Sequence, residues 1–121
     1  METKNNPKNN DNSTFNAIYE QAINESLLIF GEQIATVISL HIKEKCVVTK
    51  LGDTVENPKI FSEALEDLLD SGSNIIKRRI LRLLYQRIGI EQTFVITINF
   101  EEKVLRAKKE FEKKFSDYNN S

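Results

Sequence analysis

The sequence predicts a mainly α-helical single domain, a compact bundle of four to five helices with one short β-like segment. Three observations predict it. Apolar residues recur at three- and four-residue spacing along most of the chain, the period of a helix with one buried face. Helix-start and helix-stop residues punctuate those stretches, with Asn57-Pro58 and Asn99 at starts and Gly72 and Gly89 after ends. Only residues 93–99 switch to a period of two. With 121 residues, 40% of them hydrophobic and 29% charged, the chain suffices for one soluble domain that needs no metal or disulfide to hold its core.

Residues 1–13 are Asn-rich and apolar only at Met1, so they are expected to form a disordered polar tail, with the domain spanning 14–121. The first helix is expected from Ser13 or Thr14, either of which can cap the free N–H groups. Phe15, Ile18, Tyr19, Ala22, Ile23, Ser26, Ile29 and Phe30 share its face. Past Gly31 the stripe becomes Ile34, Val37, Ile38, His41 and Ile42, which lies about 90° further round a continuous helix. Gly31 therefore marks either a kink or a break into two helices. A break is slightly favoured, because one rigid helix could not aim both stripes at the same core.

Cys46-Val47-Val48-Thr49 is β-prone and ends this stretch, and Leu51-Gly52-Asp53 reads as a turn. Asn57 caps the next helix and Pro58 takes its first position. That helix runs to about Asp70, with Ile60, Phe61, Ala64, Leu65, Leu68 and Leu69 inward. Gly72 is expected to supply the reversal, with Ser71 or Ser73 capping a helix over roughly 74–88. Its arc of Ile76, Ile80, Leu81, Leu83, Leu84 and Ile88 is broad enough for burial on several sides, which makes it the expected central helix.

In residues 93–99, Phe94, Ile96 and Ile98 alternate with polar or smaller neighbours, as in a half-buried strand. Pairing with Val47-Val48, pairing with a second copy and simple extended packing are all open. Asn99 with Glu102 resembles a capping box and opens a charged amphipathic C-terminal helix over 100–121. Its stripe of Phe100, Val104, Ala107, Phe111, Phe115 and Tyr118 must dock within the domain or against a partner helix.

Charge separates the two helices that meet near Gly72. Glu56, Lys59, Glu63, Glu66, Asp67 and Asp70 make the first arm acidic, whereas Lys77, Arg78, Arg79, Arg82 and Arg87 make the second wholly basic. Across the chain the balance is −1, unlike a surface tuned throughout to nucleic acid or anionic lipid. Cys46 is the sole cysteine, so no internal disulfide and no cysteine-based zinc site can form. The polar start lacks the apolar run of a secretory signal, and runs such as Leu27-Leu28-Ile29-Phe30 fall far short of a membrane span. A cytoplasmic protein without membrane attachment is the expectation.

The candidate sites are few. His41, the only histidine, lies within an apolar stripe. As a functional group it would line an apolar ligand pocket with Gly31; as a structural one it would bond a backbone or carboxylate at the core edge. Cys46 beside Lys43 and Lys45 is either a reactive thiol or a small buried residue. Arg78, Arg79 and Arg82 could bind phosphates, but the central helix is needed in the core and the acids of the preceding arm are placed to neutralise them. Glu63, Glu66, Asp67 and Asp70 lack the loop spacing of a calcium site. No phosphate-cradling glycine loop or nucleophile elbow exists, so no enzyme activity, cofactor or metal is expected.

Several short runs carry a family resemblance: Phe30-Gly31-Glu32, Leu40-His41-Ile42-Lys43-Glu44-Lys45, Asn57-Pro58, Phe61-Ser62-Glu63-Ala64-Leu65-Glu66, Gly72-Ser73-Asn74-Ile75-Ile76, and residues 80–85. Over about 17–90 the chain resembles the small helical Nitrosopumilus output domain of ammonia-oxidising archaea. That family tends to carry Phe-Gly-x-Gly after its second helix, where this chain has Leu69-Asp70-Ser71-Gly72. The resemblance implies an archaeal signalling output module without catalytic residues. The expected function is a non-enzymatic regulatory or protein-interaction module, with a protein partner or homodimer engaged by Phe100, Val104, Phe111 and Phe115 or by the groove around Gly31 and His41. The alternatives are a nucleic-acid-binding regulator using Arg78, Arg79 and Arg82, and a small-molecule sensor built on His41.

Overall fold

A computed structural model describes residues 7–91 and 99–120, with side chains over 14–91 and 99–114. The expected strand at 93–99 therefore falls almost wholly outside the described residues. Five α-helices follow in order: α1 (Pro7–Leu27), α2 (Glu32–Cys46), α3 (Pro58–Leu69), α4 (Ser73–Ile88) and α5 (Phe100–Asn120). Among the described residues the fold is an all-α bundle.

Gly31 does break the first helical stretch. A 3₁₀ turn, Leu28–Phe30, ends α1, and Gly31 turns the chain at φ 89°, ψ 160°. Those angles suit a residue without a Cβ. The start of α1 differs from expectation, because the helix begins at Pro7, well before Ser13. Pro is favoured at a first helical position because its missing N–H would be unpaired there.

Helix α2 ends where Val47 adopts a left-handed conformation (φ 56°, ψ 54°), and its N–H bonds the Glu44 carbonyl. A second 3₁₀ segment, Leu51–Glu56, replaces the simple turn expected around Gly52. Pro58 opens α3 as predicted, although Asn57 contributes only its carbonyl, to the Phe61 N–H, and no side-chain cap. The reversal after α3 is made by Asp70 (φ 49°, ψ −129°), not by Gly72, which sits at an ordinary helical φ of −63°. Neither Ser71 nor Ser73 caps α4. Asn99 does cap α5, accepting the Glu102 N–H at 2.9 Å.

Helix α4 is central, packing on α1, α3 and α5. Ile76, Ile80, Leu81, Leu84 and Ile88 are buried, as its broad apolar arc requires. Phe15, Tyr19, Ala22, Ile23 and Leu27 of α1 face the same core. Ring contacts run through it from Phe111 to Phe15 (5.5 Å between centroids), Tyr19 (6.4 Å), Phe61 (6.0 Å) and Phe100 (5.7 Å). Both ends of that series belong to α5, so Phe100 and Phe111 are spent inside the domain. Each such side chain contributes about 1.5–3 kcal/mol by leaving water.

Polar contacts secure the helix ends and crossings. Gly89 takes the left-handed position after α4, and Lys114 Nζ on α5 donates to the free carbonyls of Ile88 (3.1 Å) and Gly89 (3.3 Å). Tyr85 Oη donates to the Lys103 carbonyl, and Arg87 Nη2 reaches both Glu25 oxygens at 2.7 and 2.8 Å. No helix among the described residues is long and apolar enough to cross a membrane.

Candidate interaction surface

The acids of α3 turn toward α2 and Lys77, and that decides which charges stay free. Asp67 Oδ2 accepts from Lys45 Nζ at 2.7 Å and lies 2.9 Å from His41 Nε2. An ionised carboxylate only accepts, so Nε2 carries the hydrogen. Lys45 and then His41 hold the Asp67 carboxyl below its ordinary range, and Asp67 in turn raises Lys45. Glu66 accepts from Lys77, which lowers its carboxyl, and from Ser62.

His41 is thus the core-edge histidine bound to a carboxylate that the sequence allowed. A Cβ built on Gly31 would meet nothing within 4 Å, so this position faces open space. Half-buried Cys46 has its thiol pushed up by burial, the direction opposite to a reactive thiolate. Among the described residues no group of three or more His, Cys, Asp or Glu is placed to hold a metal ion.

The described part of the C-terminal stripe turns inward. Phe100, Val104 and Ala107 are buried, and Phe111 packs against the core. Phe115 lies outside the described side chains. Phe100, Val104, Ala107 and Phe111 join α5 to its own domain.

Six of the exposed large apolar side chains lie between residues 28 and 40, on either side of the α1–α2 break, and Val47, Leu68, Ile75 and Leu105 are exposed elsewhere. Leu28, Ile29, Phe30, Ile34, Val37 and Leu40 are exposed, with Ile29 at 51%, Val37 at 58% and Leu40 at 55%. The stripe expected from Ile34 to Ile42 divides in two: Ile38 and Ile42 are buried, while Ile34 and Val37 are not. Helix α2 packs mainly on α3, which covers only its Ile38–Ile42 side. Leu28 and Leu40 border one hollow of about 380 Å³ with Ala35, Thr36 and Ser39.

Ile29 faces a second hollow, of about 290 Å³, completed by Ile75, Arg78, Arg79 and Arg82 of α4. The neutralisation expected for these arginines does not occur. Among the described residues no carboxylate pairs with any of the three, because Asp67 turns to α2 and Glu66 to Lys77. Arg78 Nε has only the Asn74 carbonyl at 3.5 Å, and Arg79 Nε is buried without a hydrogen-bond partner. Arg78, Arg79 and Arg82 are the predicted cationic strip; Ile29 and Ile75 went unnoticed as surface residues. Ile75 shares a helical face with Arg78 and Arg82, and that spacing is the signal that could have placed it there.

No protein-family model matches the chain, and neither curated proteins nor solved structures compared with it give a significant match.

Proposed function

We propose that this chain is a non-enzymatic regulatory module that works by binding another protein through the surface around the α1–α2 break. The observation that carries this reading is the run of exposed apolar side chains across residues 28–40, from Leu28 to Leu40. Isolated exposed apolar residues are ordinary, whereas a cluster of them is the usual mark of a binding surface. The proposal includes the signalling output family named above. One detail supports it: the first glycine of that family's turn falls at Asp70, whose backbone (φ 49°, ψ −129°) is one that glycine adopts readily.

Light scattering and a display selection test the reading together. A homodimer or selected protein ligands should appear, and Val37→Asp with Leu40→Asp should abolish them while the helical circular dichroism persists. Ligands indifferent to both substitutions would defeat it. The unpaired arginines favour nucleic acid as a second reading, which requires retention on duplex DNA that falls steeply with salt.

A further inference from the structure

We propose that the hollow between Ile29 and α4 receives an acidic amphipathic helical segment of a partner protein, an apolar side chain seated on Ile29 and Ile75 and carboxylates bound by Arg78, Arg79 and Arg82. This rests on the protein-binding reading and names the chemistry of the partner. The floor is apolar and exposed, with Ile75 at 61%. Ile75, Arg78, Arg79 and Arg82 follow one another at i, i+3, i+4 and i+7, so they form one strip about 10 Å long on α4. A helix presenting apolar and acidic groups at the same spacing is its complement.

Charge complementarity selects the sign of that partner. Three guanidiniums stand together without a carboxylate partner among the described residues. Guanidiniums hold carboxylates through paired N–H donors, and exposed Arg78 and Arg82 can offer theirs. Nucleic acid fits less well, because an apolar centre adds nothing to phosphate binding and the strip holds three cations in a chain of net charge −1. A lipid surface fits less well too, because membrane-surface helices need a broad apolar face, whereas here two isoleucines share a hollow of about 290 Å³ with three arginines.

The test is a selection from a displayed library of random helical peptides against the full chain, followed by titration of the recovered peptides. Arg78→Glu and Arg82→Glu are exposed changes, checked by circular dichroism. Recovered peptides should carry net negative charge with apolar residues at three- and four-residue spacing. Either substitution should weaken them roughly tenfold or more. Arg82→Lys should lie between, since it keeps the charge and loses the fork. Peptides that are neutral or basic, or that ignore both arginine reversals, would overturn the acidic groove. If Val37→Asp abolished those same peptides, the protein-binding reading would still stand. Failure to recover any peptide, with a strictly monomeric chain, would remove both. Tighter arginine-dependent binding to duplex DNA or to phosphatidylglycerol vesicles than to any peptide would replace the proposed occupant. Self-association lost on arginine reversal would put a second copy there instead.

Discussion

Gly52 lies against the backbone of Asn16: a Cβ added to it would stand 2.4 Å from the Asn16 carbonyl oxygen. Its N–H also donates to Glu20 Oε1 at 2.9 Å, so α1 and the 3₁₀ segment meet with no room for a side chain. Gly52→Ala should cost about 1–3 kcal/mol, because backbone on both sides must shift. Urea denaturation measures it, and an unchanged midpoint would contradict the close approach.

Asp70 and Gly72 predict opposite results at one turn. Asp70 carries the positive φ, so Asp70→Gly should raise stability, by about 1 kcal/mol. Gly72 has helical angles, and the nearest atom to an added Cβ is Leu69 Cβ at 3.9 Å, so Gly72→Ala should be neutral or mildly stabilising. Thermal melts of the two variants check the pair.

Asp67 ties α3 to α2, and its contribution depends on pH. Its folded carboxyl titrates below the unfolded value, so the stabilisation is complete above about pH 4 and is lost as pH falls through the folded value. Asp67→Asn should therefore melt below wild type at neutral pH, with the difference closing in strong acid. A constant difference across that range would show that ionisation plays no part.

Two buried tyrosines should respond differently to loss of the hydroxyl. Tyr19 is wholly buried, and its Oη makes no hydrogen bond of good geometry. Burial pushes its phenol strongly upward. Tyr19→Phe should be neutral or stabilising. Tyr85→Phe should cost about 1 kcal/mol, since Tyr85 Oη bonds the Lys103 carbonyl across α4 and α5 at 2.8 Å. Equal effects in urea denaturation would refute the contrast.

Periodicity and local chemistry by themselves determined the helical class, an interruption at Gly31, the start of α3 at Pro58, the buried arc of α4 and the cap at Asn99. Each depends on neighbours within one or two helical turns, which the sequence places directly. The structure decided that the interruption at Gly31 is a break. The turn at Asp70 escaped that logic, since glycine is the usual carrier of positive φ and Gly72 stood two residues away. Only the tertiary structure decided which half of the α2 stripe α3 would cover, leaving Ile34 and Val37 in solvent beside buried Ile38 and Ile42. It likewise decided that Asp67 would pair with Lys45 and His41 and leave Arg78, Arg79 and Arg82 unneutralised. A hydrophobic stripe says which way a helix faces but not how wide its neighbour is. Charge opposition between two arms likewise does not specify which side chains meet, because that depends on helix crossings far apart in sequence.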